Sequence, residues 1–323
     1  MIKRTCCITI AVCALAAVAL AQGTPNPQGA TPAPQGAAPA APRPLPPITN
    51  TDYDISSTWF QLPAGMELGQ PISVAPDGKG NIFFVRRRAQ PPILVFDRQG
   101  KLLRSWGEGL FTAIHSIDVD RNGFVWATDN TDNVVYKFSA DGTLLMTLGK
   151  RGVAGDNASQ DLFDGPSDVF VAPNGDIFVT DGYRNSRVVR FDKDGKFLRI
   201  IGGTKGTGPA QFDRVHALVM DSKGRLIIND HNNGRIQVWD QDGTFIEQWA
   251  NFGIGQPSGL YIEADDTVWV CDNQSDNIVK IKDGKVIETI KGLGGRPHLI
   301  ALDQGVLYQA DAPSGTFKRI RKK

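Results

Sequence analysis

Six copies of one sequence unit follow one another along this chain, and no other feature constrains its fold so strongly. Each unit has an alternating apolar strand, a turn built on glycine or aspartate, and a second strand such as FVWATD or DIFVTD. Most units add a third strand, an Asp-Gly turn and a fourth strand. Four short strands per repeat, with turn residues at fixed offsets, are typical of a β-propeller blade. The chain is therefore predicted to form an all-β, six-bladed β-propeller.

The sixth unit ends after FKRIRKK and has no fourth strand. The stretch YDISSTWFQL, from Tyr53 to Leu62, resembles the outer strands and belongs to no unit. If it pairs with the last blade, the ring closes and no blade keeps an exposed edge there. We therefore predict a propeller over residues 51–323, closed by its N-terminal strand.

The first part of the chain has the pattern of an export signal. Lys3 and Arg4 precede the apolar run ITIAVCALAAVALA, which is too short for a comfortable membrane span and ends in small residues. A signal peptide over residues 1–21, cleaved after Ala21, is predicted, and hence a secreted or periplasmic protein without a membrane span. Residues 22–50 are nearly all Pro, Ala, Gly, Gln and Thr, which predicts a disordered linker.

Charge and cysteine content narrow the partners. The formal net charge of +1 becomes −1 when the two cationic residues of the leader are removed. A near-neutral chain without a basic run argues against nucleic acid and anionic membrane as partners. Cys271 is the one cysteine outside the leader, so no internal disulfide is expected.

Three of the four histidines share one position in the repeat. The two residues at the head of each unit are Pro71-Ile72, Ile114-His115, Pro166-Ser167, Val215-His216, Pro257-Ser258 and Pro297-His298. Histidine thus stands second in units two, four and six and is absent from the others. The first strand of a propeller blade lines the central channel, and alternate blades of a six-bladed ring lie about 120° apart. The three imidazoles are therefore predicted to converge at the channel mouth.

Three converging imidazoles are what zinc with an open fourth position requires. Closed structural zinc sites use four protein ligands and favour cysteine, which is nearly absent here. The open position predicts catalysis or ligand binding at the metal, although imidazole also suits iron and cobalt. The alternative is that each histidine is an ordinary hydrogen-bonded structural residue.

The segments HSIDVDRNGFVWATDN, PSDVFVAPNGDIFVTDGYRNSRVVRF and HALVMDSKGRLIINDHNNGRIQVW resemble NHL repeats. Their functional positions are similar to those of peptidyl-α-hydroxyglycine α-amidating lyase, over roughly Ile72 to Asp311. The resemblance implies a six-bladed propeller whose catalytic zinc is held by three histidines, at the positions His115, His216 and His298.

The resemblance also implies a catalytic tyrosine at Tyr183, in VTDGYRNSR, and an active-site arginine at Arg87, with Arg86 as the near alternative. Independently, unit three has one extra residue after Asp181, which predicts a Gly-Tyr bulge that aims the phenol over the channel mouth. Facing a zinc ion and an arginine, the phenol is expected to have a lowered pKa and to act as a base. The alternatives are an inert turn tyrosine and a solvated arginine cluster.

The arginine cluster occupies the place where the other units keep an aspartate. That aspartate ends the second strand and is predicted to be a structural turn former at Asp129, Asp181, Asp230, Asp272 and Asp311.

Two positions depart from the family. Leu299 stands where the family has an aspartate that serves a structural calcium, so a bound calcium ion is doubtful. Zinc at the three histidines is the expected cofactor. His231 stands where the family has a second active-site arginine, and it is the third candidate catalytic residue. The chain contains no hydroxylase domain, so a separate hydroxylase is expected to supply the substrate.

The predicted function is that of a secreted zinc lyase, monomeric and acting on a small-molecule or peptide substrate. It would cleave a carbinolamide N–C bond to give an amide and glyoxylate, with Tyr183 as the base and Arg87 paired with the substrate carboxylate. The alternative is a non-enzymatic NHL-repeat propeller that binds a protein or glycan in the cell envelope. A propeller lactonase is a third possibility, but such sites use calcium with Glu, Asp and Asn ligands rather than histidines.

Overall fold

Six four-stranded antiparallel sheets make up the part of the chain that the computed structural model describes, residues 52–323. The first strand of each sheet contacts the first strands of both neighbouring sheets, so the six inner strands close a ring around a central axis. The predicted all-β, six-bladed propeller is therefore confirmed. The predicted signal peptide and linker lie outside the described residues.

The strands follow the order of the repeats. Blade one contains β2 (Gln70–Pro76), β3 (Asn81–Arg87), β4 (Ile93–Asp97) and β5 (Leu102–Trp106). Blade two contains β6 (Ile114–Val119), β7 (Val125–Asp129), β8 (Val134–Phe138) and β9 (Leu144–Gly149). Blade three contains β10 (Pro166–Val171), β11 (Ile177–Asp181), β12 (Arg187–Phe191) and β13 (Phe197–Gly202).

The second half of the ring repeats this arrangement. Blade four contains β14 (Val215–Met220), β15 (Leu226–Asp230), β16 (Arg235–Trp239) and β17 (Phe245–Trp249), with a 3-10 turn at His231–Asn233. Blade five contains β18 (Pro257–Ile262), β19 (Val268–Asp272), β20 (Ile278–Lys282) and β21 (Lys285–Ile290). Blade six contains β22 (Leu299–Asp303), β23 (Val306–Asp311), β24 (Thr316–Lys322) and the N-terminal β1 (Tyr53–Ser56).

Closure by the N-terminal strand is confirmed, but the strand is shorter than the predicted stretch. β1 pairs antiparallel with β24, with Tyr53 opposite Lys322 and Ser56 opposite Arg319. After Ser56 the chain leaves the sheet because Trp59 turns inward against Phe84, with ring centroids 5.6 Å apart. The rest of the stretch thus fills the seam between blades six and one instead of extending the strand.

The apolar residues form six buried clusters, one at each seam between neighbouring blades. The second strands are buried on both faces, whereas the fourth strands keep exposed residues such as Leu145 and Ile287. Burial of apolar area is the dominant stabilising term in such a fold. Because each blade buries its faces only against its two neighbours, the seams hold the ring together.

The aspartates at the ends of the second strands have the predicted structural role. Asp129 accepts hydrogen bonds from the backbone N–H groups of Thr112 and Ala113, at 2.6 and 2.9 Å. In this way it ties down the chain that leads into its blade. In blade one Arg86 takes the equivalent place, opposite Pro71 as Asp129 is opposite Ile114. This pairing confirms the alignment of the first head pair.

Within residues 52–323, no helix has the length and apolar character needed to cross a lipid bilayer.

A chain that starts at Ser57 is expected to be less stable than one that starts at Asp52. The shorter chain lacks β1, which leaves β24 as an open edge and removes the buried side chain of Tyr53. Loss of that side chain alone is worth about 1.5–3 kcal/mol, and each kcal/mol lowers the Tm of a protein of this size by about 2–4 °C. Calorimetry of the two chains measures the difference. Equal Tm values would contradict closure by β1.

Candidate metal centre

Three imidazoles from alternate blades meet at the axis of the ring. His115 lies on β6, His216 on β14, and His298 directly before β22. Their ring centroids are 4.9–5.0 Å apart, and one ligand nitrogen from each lies within 4.8 Å of the other two. All three are buried, with exposures of 1, 1 and 6%. The predicted convergence of the three histidines is therefore present in the structure.

A backbone carbonyl of the next blade orients each ring. The Nδ1 atoms lie 2.5, 3.1 and 2.8 Å from the carbonyl oxygens in the pairs His115–Ser167, His216–Ser258 and His298–Ile72. A carbonyl oxygen only accepts, so Nδ1 of each ring carries the proton and donates it. Each Nε2 therefore keeps its lone pair. Metal-binding histidines are oriented by this kind of hydrogen bond from the other ring nitrogen.

The remaining three seams, which follow the odd-numbered blades, are also crossed by one hydrogen bond each. Side chains of the odd blades donate to the first head residue of the following blade, in the pairs Ser167 Oγ–Val215, Ser258 Oγ–Pro297 and Arg87 Nε–Ile114, at 2.9, 3.1 and 2.7 Å. Together with the three histidine bonds they place one hydrogen bond across each of the six seams. We call this set the axial circuit. It fixes the rings relative to the whole propeller rather than to their own blades.

The histidines are neutral at neutral pH. Burial lowers the pKa of His115 and His216 well below the usual value and that of His298 to about 4, and Arg87 acts in the same direction on His115 and His298. Only a neutral imidazole has a lone pair for a metal ion. The cluster thus offers three unprotonated nitrogen donors without any change in the protein.

Tyr183 reaches the cluster from the bulge that was predicted from the extra residue of blade three. Its hydroxyl group lies 2.8 Å from Nε2 of His115. The bulge packs against blade four at Gly182, where an added Cβ would lie 1.8 Å from the carbonyl oxygen of Val215. Glycine is therefore required beside the tyrosine, because no other residue permits so close an approach.

The predicted fall in the pKa of Tyr183 depends on a bound zinc ion as well as on an arginine, and it stays a prediction. Burial raises the pKa of this phenol, while Arg87 and Arg214 act to lower it, and burial has the larger effect. A buried phenolate loses its hydration, and the two guanidinium groups do not fully replace it. The protein's own groups thus favour the protonated form of this phenol.

The two candidate arginines have different surroundings. Arg86 is fully buried, and its guanidinium group donates to the backbone carbonyls of Glu67, Gln90 and Pro91. It therefore holds a loop of blade one and has no nitrogen left for the cluster. Arg87 lies on the cluster side, where burial lowers its pKa and the nearby Tyr183 raises it. Of the two, the structure brings only Arg87 to the tyrosine.

His231 lies beside the cluster and is not one of its members. Its ring stacks on His216, with centroids 5.3 Å apart and planes inclined at 28°. Its Nδ1 lies 3.0 Å from Oδ1 of Asn232, and burial lowers its pKa. His231 is thus a neutral imidazole that borders the site beside the three converging histidines.

Sequence reasoning missed Arg214. Its guanidinium carbon lies 5.2 Å from the centre of the Tyr183 ring, in a cation–π arrangement. The residue directly precedes the head pair of blade four, and comparison of the head pairs alone passes over it. The only sequence signal is an arginine at this position, which recurs in blade six as Arg296.

Beyond the histidines the channel contains a cavity of about 470 Å³. Leu299 lines this cavity at the position where the resemblance implies a calcium-binding aspartate, and its alkyl side chain offers no ligand atom. Asp118 and Asp168 also line the cavity, and burial raises their pKa values to about 6 and about 8. At neutral pH the carboxyl group of Asp168 is thus mostly protonated, whereas that of Asp118 is mostly ionised.

Comparison with known proteins agrees with this architecture. A family model described as a 6-bladed beta-propeller (DUF5128) matches residues 159–250. Human NHL repeat-containing protein 3 is 30% identical over 272 residues, which cover 75% of this chain and 77% of the human protein.

Two further similarities concern named enzymes. A probable peptidyl-alpha-hydroxyglycine alpha-amidating lyase of Caenorhabditis elegans is 35% identical over 150 residues, 46% of this chain and 42% of that protein. The crystal structure of a gluconolactonase from Xanthomonas campestris superposes with a TM-score of 0.65 at 16% identity, over 90% of this chain and 99% of that one. The second likeness concerns the fold alone. With six four-stranded blades and a human relative that it matches over most of both lengths, the chain belongs to the family of NHL-repeat six-bladed β-propellers.

Proposed function

We propose that this protein is a zinc-dependent lyase that cleaves the N–C bond of a carbinolamide to give an amide and glyoxylate. The observation that carries the proposal is the cluster of three neutral imidazoles whose Nε2 atoms are unprotonated. The similarity to a probable amidating lyase supports the reaction class. The proposal includes export of the protein through the signal peptide over residues 1–21 and action as a monomer.

The donor set fits zinc. His115, His216 and His298 would hold the ion through three nitrogen atoms, the number of protein ligands that catalytic zinc sites use. The one cysteine among the described residues, Cys271, is buried in the seam between blades five and six and belongs to another cluster. A bound zinc ion would act as a Lewis acid and lower the pKa of a coordinated hydroxyl group.

Tyr183 is placed to handle the proton. Its hydroxyl oxygen is within hydrogen-bond distance of His115 Nε2 and therefore beside the position of any group held by the three histidines. In the proposed reaction Tyr183 acts in its phenolate form, which a bound zinc ion and the guanidinium group of Arg87 would favour, and accepts the proton of the substrate's α-hydroxyl group. The hydroxyl oxygen then forms the carbonyl of glyoxylate as the N–C bond breaks, and Tyr183 returns the proton to the leaving amide nitrogen.

Burial of the site contributes to this chemistry. The phenol and the imidazoles lie in a desolvated region, where the cationic guanidinium group of Arg87 acts more strongly on negative charge than it would in water. His231 closes one side of the site and excludes water from His216. The protein thus presents fixed dipoles and cations where negative charge develops during the reaction.

A second candidate function is that of a non-enzymatic propeller that binds a protein or glycan in the cell envelope. The human relative, which carries the name of its repeats and of no activity, favours this alternative. A partner-binding face does not depend on the three imidazoles. If His216→Ala retains capture of a partner while metal is lost, the binding function is separate from the cluster.

Purified protein is expected to contain about one zinc ion per chain. His216→Ala should lose most of it, because two imidazoles do not hold a metal ion as three do. The matched control is His231→Gln, which removes a buried imidazole that is stacked on His216 but lies outside the cluster. This variant should keep its metal in elemental analysis. Equal metal content in all three proteins would contradict the proposed site.

Tyr183→Phe is expected to reduce glyoxylate release from α-hydroxyhippurate by about 10²–10⁴-fold, the usual contribution of a positioned acid–base group. Zinc content should be unchanged, because the phenylalanine keeps the ring. Tyr136→Phe is the control, since Tyr136 is a buried tyrosine in the seam between blades one and two. Comparable activity of Tyr183→Phe and the wild-type protein would rule out the assigned role.

Zinc affinity is expected to change little between pH 7.5 and pH 5.5. Protons compete with the metal only below the pKa of the folded histidines, which burial lowers to about 4 for His298. Three imidazoles with an ordinary pKa near 6.5 would lose about a thousandfold in affinity over this range. Titration against a competing chelator at a series of pH values measures the profile. A steep loss that begins near pH 6.5 would count against a buried, neutral cluster.

A further inference from the structure

Two guanidinium groups act on Tyr183, and one of them is already occupied. Arg87 donates from Nε to Ile114 at 2.7 Å, and from Nη2 to the carbonyl of Ala113 and the side chain of Asn130, both at 3.3 Å. Its bond to Ile114 is part of the axial circuit. Two of its three nitrogens are therefore committed to protein acceptors, and the residue has a structural task at the seam between blades one and two.

Arg214 has no such task. Within residues 52–323 its guanidinium group makes no hydrogen bond and no ion pair, and it contacts only the face of the Tyr183 ring. The Nε atom is buried without an acceptor. The acidic residue before it, Asp213, is engaged by Asn232 at 3.0 Å and Lys205 at 3.5 Å. A buried donor without a partner costs about 1–3 kcal/mol, so this arrangement calls for an acceptor from outside.

The backbone holds Arg214 over the tyrosine at a further cost. Its φ of +66° lies in the left-handed region, which residues other than glycine rarely adopt. The peptide on one side is fixed because the N–H of His231 donates to the carbonyl of Arg214, at 3.0 Å. The peptide on the other side is fixed because the N–H of Asn232 donates to the carbonyl of Asp213, at 3.0 Å. Strained conformations that the surroundings enforce are typical of functional sites.

We propose that Arg214 binds the anionic group of the ligand, a carboxylate. A planar guanidinium group binds a carboxylate through two parallel hydrogen bonds, which would satisfy the unpartnered nitrogen. The residue is partly exposed while Nε is covered, so a carboxylate that pairs with Nε would require the guanidinium group to turn about its last side-chain bonds.

The position of Arg214 relative to the cluster suits an α-hydroxy acid. Tyr183 contacts His115 through its hydroxyl oxygen and Arg214 through its ring face, so it stands between the histidines and the guanidinium group. An α-hydroxy acid carries its hydroxyl and carboxylate groups on one carbon. With the hydroxyl group beside Tyr183 and the histidines, the carboxylate lies on the Arg214 side. The identity of this substrate rests on the proposed function, whereas carboxylate binding does not.

The test compares two probes that differ only in charge, hippurate and its primary amide hippuramide, by titration calorimetry on the zinc-loaded protein. The wild-type protein is expected to bind hippurate more tightly. Arg214→Gln should weaken hippurate binding by about tenfold to a hundredfold, the effect of a charge-assisted hydrogen bond, and leave hippuramide binding unchanged. The preference for the carboxylate would then be lost.

The matched control is Arg296→Gln. Arg296 stands directly before the head pair of blade six, as Arg214 does in blade four, and it is exposed. The control removes the same charge at the same repeat position and should keep the preference for hippurate. If Arg214→Gln fails to fold, Arg214→Asn replaces it, because asparagine is neutral and tolerates a left-handed backbone.

The outcomes separate this inference from the proposed function. A preference for hippurate that survives in Arg214→Gln, or that is absent from the wild-type protein, overturns the role of Arg214. If the preference depends on Arg214 but the wild-type protein releases no glyoxylate from α-hydroxyhippurate, the proposed reaction fails and the anion site stands. An equal loss in Arg296→Gln would show a general effect of charge and would also overturn the inference.

Discussion

The site depends on the axial circuit, the set of six hydrogen bonds that cross the seams at the head of the inner strands. Three of them orient imidazoles, and the other three come from two serines and one arginine. Each bond ends on a backbone carbonyl of the next blade, so no ring can turn without disturbing a neighbouring blade. A metal-ligand geometry that is held in this way has the rigidity of the whole propeller. Apolar packing in the seams stabilises the fold, whereas the circuit sets the positions of a few atoms within it.

Much of the fold and of the candidate site was predictable from the sequence, because the chain is built from repeats. Once the six units are aligned, equal positions in the repeat become equal positions in the ring, and the convergence of His115, His216 and His298 follows. Closure by β1 was predictable for a similar reason, since the last unit lacks a strand. The length of β1 was not, because the inward turn at Trp59 depends on a pocket made by Phe84 and Tyr308, far away in the sequence.

The other features of the site could not be predicted from the identities of the side chains alone. The acceptors of the axial circuit are backbone carbonyls, which every residue has, so the alternating serines carried no signal before the blades were in place. Arg87 replaces the serine hydroxyl in blade one, where the corresponding residue is Ile72, and only the three-dimensional arrangement shows this equivalence. The degree of burial of Tyr183, which raises the pKa of its phenol, was not predictable from the sequence, because it depends on how the bulge packs against blade four. Arg214 was missed because its backbone conformation, and not its place in the repeat, brings it to the tyrosine.

The alternation of the axial circuit also limits how such a protein can change its size. Propellers gain and lose blades by duplication and deletion of whole repeats. Around this ring, however, a head residue with an imidazole must be followed by one without, and that pattern closes on itself only when the number of blades is even. Removal of a single repeat would place two histidine blades, or two blades without histidine, side by side and would break the threefold arrangement. This propeller is therefore bound to an even number of blades by its functional site, although its packing would tolerate an odd number.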